Sequence, residues 1–509
     1  MTFKIEHKSG KQKYIYEVTS YWDKEKKQSR QKRKYLGKKD ESTGDPITPL
    51  KSRKPKLCQD YGSVYLLDKL AECIKLKETL LHVFPDKYDK ILGLAYYSIC
   101  ENKALYYYEE WKELNYFEKN NKETLNSKEI SKFLKSIISE KDKIEEFFQE
   151  WINAQKHINT LFFDITSFSS YSNNIEFVEW GHNRDCEMLP QINYGIIADE
   201  KSKMPLYYKI YPGSISDVTT LKNILKNLKN FKIEKSTIIL DRGFFSGKNI
   251  TGMNELGKFI IPLPFSVEEA QKIVDKNLKL LQSHSSSFLV KDELLHYAKD
   301  KIKIAGKNYV AHIYYDEQKA GEERISFMKK LINIEQNVID SKTISKEYIK
   351  NKFKGYDRFY IIDEKNKKLL RNDKVIESYM RRMGCCVIIT NNEKLSRDEV
   401  LDLYRRRNNI ELIFDSLKNE LDGGRLRAHS QETIEARLFI KFIGLILYSA
   451  LLKESETSKE FSGYSIKKML FELRKIKIIF MNDNKTKYIT EVSRKQKDIF
   501  KLFKIIPPI

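Results

Sequence analysis

The 509-residue chain is poor in cysteine, and its few cysteines lie at spacings that suit neither a metal nor a set of disulfides. They are Cys58, Cys73, Cys100, Cys186, Cys385 and Cys386. No two of them have the CxxC spacing, and no histidine stands beside them at a ligand spacing. These absences argue against a zinc site and against a disulfide framework.

Long apolar runs are also missing from the sequence. The opening residues, MTFKIEHKSGKQK, contain no apolar stretch of the kind that a secretory signal needs. The most apolar segment, 438–452, is interrupted by Lys441 and is shorter than the roughly 20 residues that span a bilayer. We therefore expect a buried helix at 438–452 in a cytoplasmic protein with no membrane partner.

Basic residues, by contrast, are abundant. The chain has 93 lysines and arginines against 71 acidic residues, which gives a formal net charge of +22. They are spread along the whole sequence and are not confined to one tail. This surplus favours a polyanionic partner, of which nucleic acid is the first candidate. A coding sequence rich in A and T, which enriches lysine, is the alternative explanation.

The first 155 residues divide into two regions of different pattern. Residues 1–57 alternate as strands do in KYIYEVTSYW and then become strongly basic, which predicts a β-hairpin with a basic arm. This arm would contact phosphates or would simply be solvated. Residues 58–155 have the three- and four-residue apolar spacing of helices and are interpreted as a helical DNA-binding domain.

From residue 156 the pattern changes to alternating strands and helices. Residues 157–164 predict a strand that ends at Asp164, and residues 236–241 predict a later strand that ends at Asp241. Between them we predict a hairpin and then a helix, at 192–198, 206–211 and 217–228. If the two aspartate-terminated strands are neighbours, they place Asp164 and Asp241 side by side at one sheet edge.

A helix predicted over 397–421 contains the segment YRRRNNIELIFDSLK. At about 100° per residue, four polar residues of this segment fall within an arc of roughly 60°, next to an apolar stripe. They are Tyr404, Arg407, Glu411 and Lys418. Taken alone, such a face is also typical of a solvated helix surface.

The limits of this helix are indicated by its flanking residues. Ser396 followed by Glu399 predicts a capping box at the start. Gly423 and Gly424 predict the end.

Glu411 would approach the edge that carries Asp164 and Asp241 from a helix packed across it. Three carboxylates in one cleft repel one another and raise each other's pKa unless a cation neutralises them. Their hard oxygen atoms favour Mg²⁺ or Mn²⁺. The three residues therefore predict a divalent metal site.

These motifs resemble those of the insertion-sequence-four family of DDE transposases. The helix matches that family's Y-x2-R-x3-E-x6-K signature at Tyr404, Arg407, Glu411 and Lys418. LFFDITS around Asp164 and ILDRGFFS around Asp241 are similar to the family's first and second catalytic motifs. The resemblance extends from near residue 10 to about residue 450, and it includes the segment 181–221 between the two aspartate motifs.

The resemblance implies an α/β fold with a ribonuclease H-like core that is interrupted by a β-rich insertion and preceded by a β-hairpin and a helical domain. The expected regions are the basic β-hairpin arm at 1–57, the helical DNA-binding domain at 58–155, the first part of the core at 156–264, the β-rich insertion at 265–384, the second part of the core with the catalytic helix at 385–452, and a C-terminal helical or mixed region at 453–509.

The resemblance also implies a reaction. Asp164, Asp241 and Glu411 would hold two Mg²⁺ or Mn²⁺ ions per site and catalyse in-line phosphodiester displacement. Phosphates near the DNA end would be contacted by Tyr404, Arg407 and Lys418, with Arg242 as a further candidate. The enzyme would cut the ends of its insertion sequence and join them to target DNA.

The implied partners are double-stranded DNA, as terminal inverted repeats and as target, and a second copy of the chain in the synaptic complex. The implied location is the prokaryotic cytoplasm, at the nucleoid. Two alternatives stay open. One is a catalytically inactive DNA-binding protein derived from a transposase, and the other is a metal-dependent nuclease.

Two local features differ from, or add to, the family pattern. Some relatives stack a flipped base on a tryptophan in the insertion, but the tryptophans here all precede it, at Trp22, Trp111, Trp151 and Trp180. A tyrosine or phenylalanine would have to replace that tryptophan, and a DNA hairpin intermediate stays an open question. His182 and Asp185 follow Asp164 closely and are interpreted as a surface loop in preference to a part of the cleft.

Overall fold

The computed structural model describes residues 2–10, 12–41, 43–47, 55–101, 103–118, 125–155, 158–172, 175–231, 233, 236–341, 345–363, 368–421, 426, 428, 430–456, 458, 461, 463–482 and 486–508. The chain forms two compact units. The first comprises Met1–Lys77, Tyr96–Ile130 and Glu454–Ile509, and the second comprises Glu78–Ala95 and Ser131–Lys453.

The strands are β1 (Thr2–Ser9), β2 (Gln12–Asp23), β3 (Gln28–Lys39), β4 (Pro46–Ile47), β5 (Pro55–Asp60), β6 (Thr160–Ser169), β7 (Gln191–Asp199), β8 (Pro205–Pro212), β9 (Thr237–Ile239), β10 (Lys258–Pro262), β11 (Ser287–Val290), β12 (Glu293–Ile304), β13 (Lys307–Asp316), β14 (Tyr360–Asp363), β15 (Lys368–Arg371), β16 (Cys385–Thr390), β17 (Lys477–Met481) and β18 (Lys487–Ile489).

The helices are α1 (Gly62–Cys73), α2 (Leu76–Val83), α3 (Tyr88–Glu101), α4 (Tyr108–Leu114), α5 (Ser127–Ile138), α6 (Lys141–Ala154), α7 (Asp217–Asn230), α8 (Gly247–Leu256), α9 (Glu268–Leu281), α10 (Glu317–Ser341), α11 (Lys346–Lys352), α12 (Asp373–Met380), α13 (Arg397–Arg406), α14 (Asn408–Asp415), α15 (Gln431–Glu456), α16 (Ile466–Leu473) and α17 (Arg494–Leu502).

The first unit contains two small antiparallel sheets. Strands β1 to β4 pair in sequence order, so the predicted hairpin is β2–β3 and β1 adds a third long strand. The other sheet has the order β18-β17-β5. Helix α1 approaches α16 so closely that a Cβ atom at Gly62 would lie 2.3 Å from the carbonyl oxygen of Leu473.

The second unit is organised by a nine-stranded sheet of order β11-β12-β13-β16-β10-β9-β6-β7-β8. Strands β6, β7 and β8 are antiparallel neighbours, whereas β9 is parallel to β6 and β10 is parallel to β9. The residues of β6 and β7 are almost all buried, as expected for strands that are covered on both faces. Helix α6 packs on β8, and α14 packs on β6.

Several predicted elements are confirmed in this unit. The hairpin at 192–198 and 206–211 is β7–β8, and the helix at 217–228 is α7. The segment 438–452 lies in α15, where nearly every residue is buried. Within the part of the chain that the structure describes, no helix is both long enough and apolar enough to cross a bilayer.

The prediction that the first strand ends at Asp164 is wrong. Strand β6 continues to Ser169, because β7 pairs with it along its whole length, from Leu161 with Asp199 to Ser169 with Gln191. This places Asp164 in the middle of the strand. The predicted start at residue 157 lies outside the described residues.

The region 265–384 is mixed and not β-rich. Strands β11, β12 and β13 do not form a separate layer, because β13 pairs with β16 and so extends the main sheet. Helix α9 packs on β12. Helices α10, α11 and α12 and the β14–β15 hairpin surround a small core of their own, formed by Phe327, Leu331, Ile334, Val338, Ile349, Phe359, Tyr360, Ile376 and Met383. The helical region 58–155 is present, but its residues are divided between the two units.

Candidate active site

Two neighbouring parallel strands bring Asp164 and Asp241 to equivalent positions in their register. Strands β6 and β9 pair Phe162 with Ile239, and each aspartate lies two residues beyond its paired position. Asp241 follows the end of β9 and precedes a short 3₁₀ turn, Arg242–Phe244. The in-register strands therefore place two carboxylates next to each other.

The Asp164 carboxylate is held in a poorly solvated position. Only 18% of its side chain is exposed, and burial raises its pKa to about 6. The charge of Arg407 and a 2.8 Å hydrogen bond from the Ile165 backbone N–H oppose this rise, whereas Asp241 adds to it. A cation placed against this carboxylate therefore relieves a desolvation cost.

Arg407 supplies such a positive charge. Its Nη1 donates to Oδ2 of Asp164 at 3.1 Å, and its Nη2 donates to Oε1 of Glu411 at 3.5 Å. Its Nε atom is buried and makes no hydrogen bond with a described residue. Burial alone would lower the pKa of Arg407, but Asp241 and Asp164 raise it above its usual value. The guanidinium thus links one aspartate to the glutamate.

The helix that carries Arg407 covers the predicted span as far as Glu420, but it is not a regular α-helix throughout. A tight turn interrupts it at Arg407, where φ and ψ remain helical at −53° and −30°. Helix α13 ends at Arg406, α14 begins at Asn408, and a π-helical turn follows at Ser416–Glu420. A π turn has a wider hydrogen-bonding step than an α-helix, so it changes the direction in which Lys418 points. The predicted end at residues 423 and 424 lies outside the described residues.

The start of this helix is as predicted. Ser396 accepts a hydrogen bond from the backbone N–H of Glu399, and the Glu399 side chain accepts one from the backbone N–H of Ser396.

Lys418 lies in the π turn and is paired with Asp185. Its Nζ atom donates to both carboxylate oxygens, at 2.7 Å and 2.6 Å, and lies 5.9 Å from the centre of the Phe168 ring. Asp185 does lie in an exposed turn, as interpreted from the sequence, but it also contacts a residue of the signature. Residues 233 positions apart meet here, and no local sequence pattern indicates such a contact.

A cavity of about 1300 Å³ opens beside Asp241, with Arg242, Tyr404 and Arg407 in its wall. Five more cations line it, namely Lys319, Lys330, Arg358, Lys374 and Arg382. Its rings include Phe265, Phe327, Tyr356, Phe359 and Tyr379. The guanidinium of Arg358 lies 4.7 Å from the ring centre of Phe359 and 5.3 Å from that of Tyr379. Cations interleaved with rings suit the phosphates and bases of DNA.

Most of these cavity residues belong to no motif of the sequence. They come from the mixed region 265–384, which contains no recognised motif, and folding alone brings them together. Two general signals point to them, the excess of positive charge and the expectation that a tyrosine or phenylalanine of the insertion replaces a tryptophan. Tyr404 is an exception, because it belongs to the predicted polar face of the helix. Burial raises its pKa to about 12, so its hydroxyl remains a neutral hydrogen-bonding group.

The donor atoms of Asp164, Asp241 and Glu411 suit a hard divalent cation. The carboxylate oxygens of these three residues lie further apart than the ligand atoms of a formed metal site do. Within the described residues, the potential ligands whose atoms all lie within 4.8 Å of one another are His82, Glu146 and Glu150, in a surface group. The side chain of Glu411 is 61% exposed, so it has room to turn toward the aspartates if Arg407 releases it.

Comparison with known proteins places this site in a family. No curated protein sequence matches the chain. Solved structures that match include the cryo-EM structure of the piggyBac transposase synaptic complex with hairpin DNA, which is 12% identical and is matched over 81% of this chain and 69% of that one. Its TM-score of 0.34 is too low to support an inference about this chain.

The transposase DDE domain family matches residues 155–447, which is more than half of the chain. The matched segment contains both aspartates, Glu411 and the whole interrupted helix. The chain therefore belongs to the transposase DDE domain family.

Proposed function

We propose that this protein is a DNA transposase that cuts the ends of its own insertion sequence and joins them to target DNA by in-line phosphodiester displacement. One observation carries the proposal. Asp164 and Asp241 lie at the same level of adjacent parallel strands, and Arg407 links Asp164 to Glu411. The strand order β8-β7-β6-β9-β10, three antiparallel strands followed by two parallel ones, supports a ribonuclease H-like core.

Asp164, Asp241 and Glu411 would hold the divalent ions, Mg²⁺ or Mn²⁺, with two per site. When bound, such ions activate a water or a DNA 3′ hydroxyl and stabilise the leaving oxygen. The protein's own part is to keep two carboxylates in register on rigid strands and to bring Glu411 to them from α14. The raised pKa of Asp164 supports this role, because a desolvated carboxylate gains most from a cation.

Four side chains are proposed to hold the DNA near the cut. Arg407 would offer a forked pair of donors to a phosphate, and Lys418 a point charge. Tyr404 and the exposed Arg242 flank Asp241 in the cavity wall. These positions fit the signature of the insertion-sequence-four family, to which we assign the chain. A synaptic complex of two ends requires at least a dimer.

The aromatic cavity supports a second DNA contact. The insertion of this chain has no tryptophan, but Phe359 and Tyr379 lie in the cavity with Arg358 over both rings. We propose that these two rings take the place of the missing tryptophan and stack a base close to the cleaved bond.

The test uses purified protein, Mg²⁺ and a plasmid that carries the ends of the element. Wild-type protein should cut at the ends and produce joined target DNA, whereas Asp164→Asn and Asp241→Asn should do neither while still binding the ends. Cleavage by Asp164→Asn at the wild-type rate would refute the proposal. Cleavage without joined products would indicate a nuclease, and binding without cleavage an inactive DNA-binding protein.

A metal-binding measurement adds a readout that does not depend on activity. Mn²⁺ should raise the melting temperature of the wild-type protein and should raise it less in the Asp241→Asn variant. Glu146→Gln is the matched control, since it removes a carboxylate from the other acidic group, near His82. If that variant loses the effect and Asp241→Asn does not, the ion binds at the surface group and not at the proposed site.

A further inference from the structure

The three long strands of the first unit form a sheet whose two faces differ in chemistry. Residues that are paired across antiparallel strands lie on the same face. The register pairs Phe3 with Val18 and Val18 with Arg33, and it pairs Tyr16 with Tyr35. We define the ring face by this register as Phe3, Ile5, His7, Tyr14, Tyr16, Val18, Trp22, Arg33, Tyr35 and Lys38.

Four rings of this face, those of His7, Tyr14, Tyr16 and Tyr35, form one group, and Trp22 lies apart from them further along β2. The ring centre of Tyr35 lies 5.3 Å from that of Tyr16 and 6.1 Å from that of Tyr14, and His7 lies 6.3 Å from Tyr16. Tyr35 is 44% exposed and Trp22 is 63% exposed. Exposed aromatic rings in a group usually mark a binding surface, because a stable core would bury them.

The charge of the ring face along its paired strands is positive. It carries Arg33 and Lys38, and within β1, β2 and β3 it carries no aspartate or glutamate. The opposite face has acidic residues, and two of its cations are already paired, Lys39 with Glu6 and Arg30 with Asp23. A polyanion that lies along the three strands of the ring face therefore meets no carboxylate of those strands.

We propose that the ring face binds single-stranded DNA, with bases stacked on the rings and phosphates near Arg33 and Lys38. Stacking on aromatic side chains accepts any base, because every base has a π face. A duplex keeps its bases stacked on one another, so it would leave these rings unused. This site goes beyond the proposed cleavage reaction, because it is formed by the first unit and needs neither the carboxylates nor a metal.

The test uses the full chain in EDTA and a labelled oligothymidylate, with binding followed by fluorescence anisotropy. Tyr35→Ala and Trp22→Ala should each weaken binding about fivefold or more, as expected when one stacked base is lost. Tyr35→Phe keeps the ring and should bind as the wild type does. Tyr21→Ala is the matched control, since Tyr21 is 48% exposed, adjoins Trp22 in β2 and points to the opposite face.

Competitors of the same length define the ligand. Single-stranded DNA should displace the label better than duplex DNA or RNA does. A preference for duplex or for RNA would overturn the proposal, as would equal losses for Tyr21→Ala and Tyr35→Ala.

Intrinsic fluorescence gives a readout that needs no disruptive substitution. Trp111 and Trp151 are buried, so Trp22 and Trp180 are the exposed tryptophans. In a Trp180→Phe protein, oligothymidylate should quench the emission of Trp22. Unchanged emission at saturating oligonucleotide would overturn the proposal.

Failure of this proposal can be told apart from failure of the proposed function. Asp164→Asn should bind oligothymidylate as the wild type does, because the ring face contains no part of the active site. Cleavage that persists in Tyr35→Ala, together with unaltered oligothymidylate binding, would reject the ring face alone.

Discussion

Removing the charge of Asp185 tests whether its ion pair with Lys418 competes with DNA for the lysine side chain. Lys418 is only 14% exposed, and both oxygens of Asp185 accept hydrogen bonds from it. A DNA phosphate at the proposed site would have to compete with this carboxylate for the ammonium group. We therefore expect Asp185→Asn to bind the ends of the element more tightly, and Lys418→Ala to bind them more weakly.

The size of the effect follows from the exposure of the pair. A hydrogen bond to a charged group contributes about 1.5–3 kcal/mol when it is shielded from water. The Asp185 side chain is 39% exposed, so solvent screening reduces the net value to about 1 kcal/mol. This corresponds to about a fivefold lower Kd for Asp185→Asn at low salt. Lys418→Ala should lower the slope of log affinity against log salt by about one.

A double-mutant cycle measured by anisotropy on duplex DNA from the element ends checks the reasoning. In the Lys418→Ala background, Asp185→Asn should have no further effect, because no ammonium is left to release. Glu140→Gln is the control, since Glu140 pairs with Lys87 at 2.6 Å in the same unit at similar exposure. If Asp185→Asn weakens binding as much as Lys418→Ala does, the carboxylate positions the lysine, and competition is refuted.

Other perturbations have equally definite outcomes. Glu411→Ala should abolish cleavage in a plasmid assay and leave DNA affinity within about twofold, because the residue is proposed to hold metal and not phosphate; strong loss of affinity would contradict this role. Burial raises the pKa of Asp164 from 3.8 to about 6, so ionising this carboxyl costs more in the folded than in the unfolded protein. The free energy of unfolding is therefore highest below pH 4 and falls as the pH rises through 6. In EDTA, Asp164→Asn should therefore gain up to about 3 kcal/mol relative to wild type between pH 4 and pH 7 in urea unfolding, and a pH-independent difference would count against the shift. Gly384→Ala should destabilise the protein by about 2 kcal/mol or more, because φ is +76° and the new Cβ would lie 2.4 Å from the carbonyl oxygen of the last residue of β13. Gly355→Ala, at φ +83° with open space around it, should cost only about 1 kcal/mol by thermal melting; equal losses would show that crowding adds nothing.

Elements with a strong local pattern could be predicted from the sequence. Helix α7 was predicted at 217–228 and runs from Asp217 to Asn230, and the β7–β8 hairpin was predicted to within a residue or two. Helix α7 has the apolar periodicity of a helix, and β7 and β8 are short, mostly buried runs on either side of a polar turn. At Asp164 the sequence predicts the end of a strand, as a charged residue that is usually exposed would mark it, and this prediction is wrong. Here the pairing with β7 overrides that preference.

Contacts between distant segments could not be predicted in the same way. The sequence motifs identify Asp164, Asp241 and Glu411 as candidate site residues. No sequence pattern indicates that the helix is interrupted at Arg407 or that Asp185 forms an ion pair with Lys418. The cavity illustrates the same limit, since Arg358 and Tyr379 share its wall with Asp241 only through the packing of the region 265–384. Charge and aromatic content are visible in a sequence, whereas the surface that they share depends on the fold.

The pairing of cations and carboxylates along α13 and α14 explains how one site can serve two ligands of opposite charge. Arg407 neutralises Asp164 and contacts Glu411, while Arg406 pairs with Glu200 and Lys418 pairs with Asp185. A divalent cation bound by the carboxylates would take over the role of Arg407, and the freed guanidinium would then be available to a phosphate. Metal and DNA binding would then be coupled through this residue, and we expect each to favour the other. Charge balance thus accounts for an arginine standing among the same carboxylates that are proposed to hold the metal.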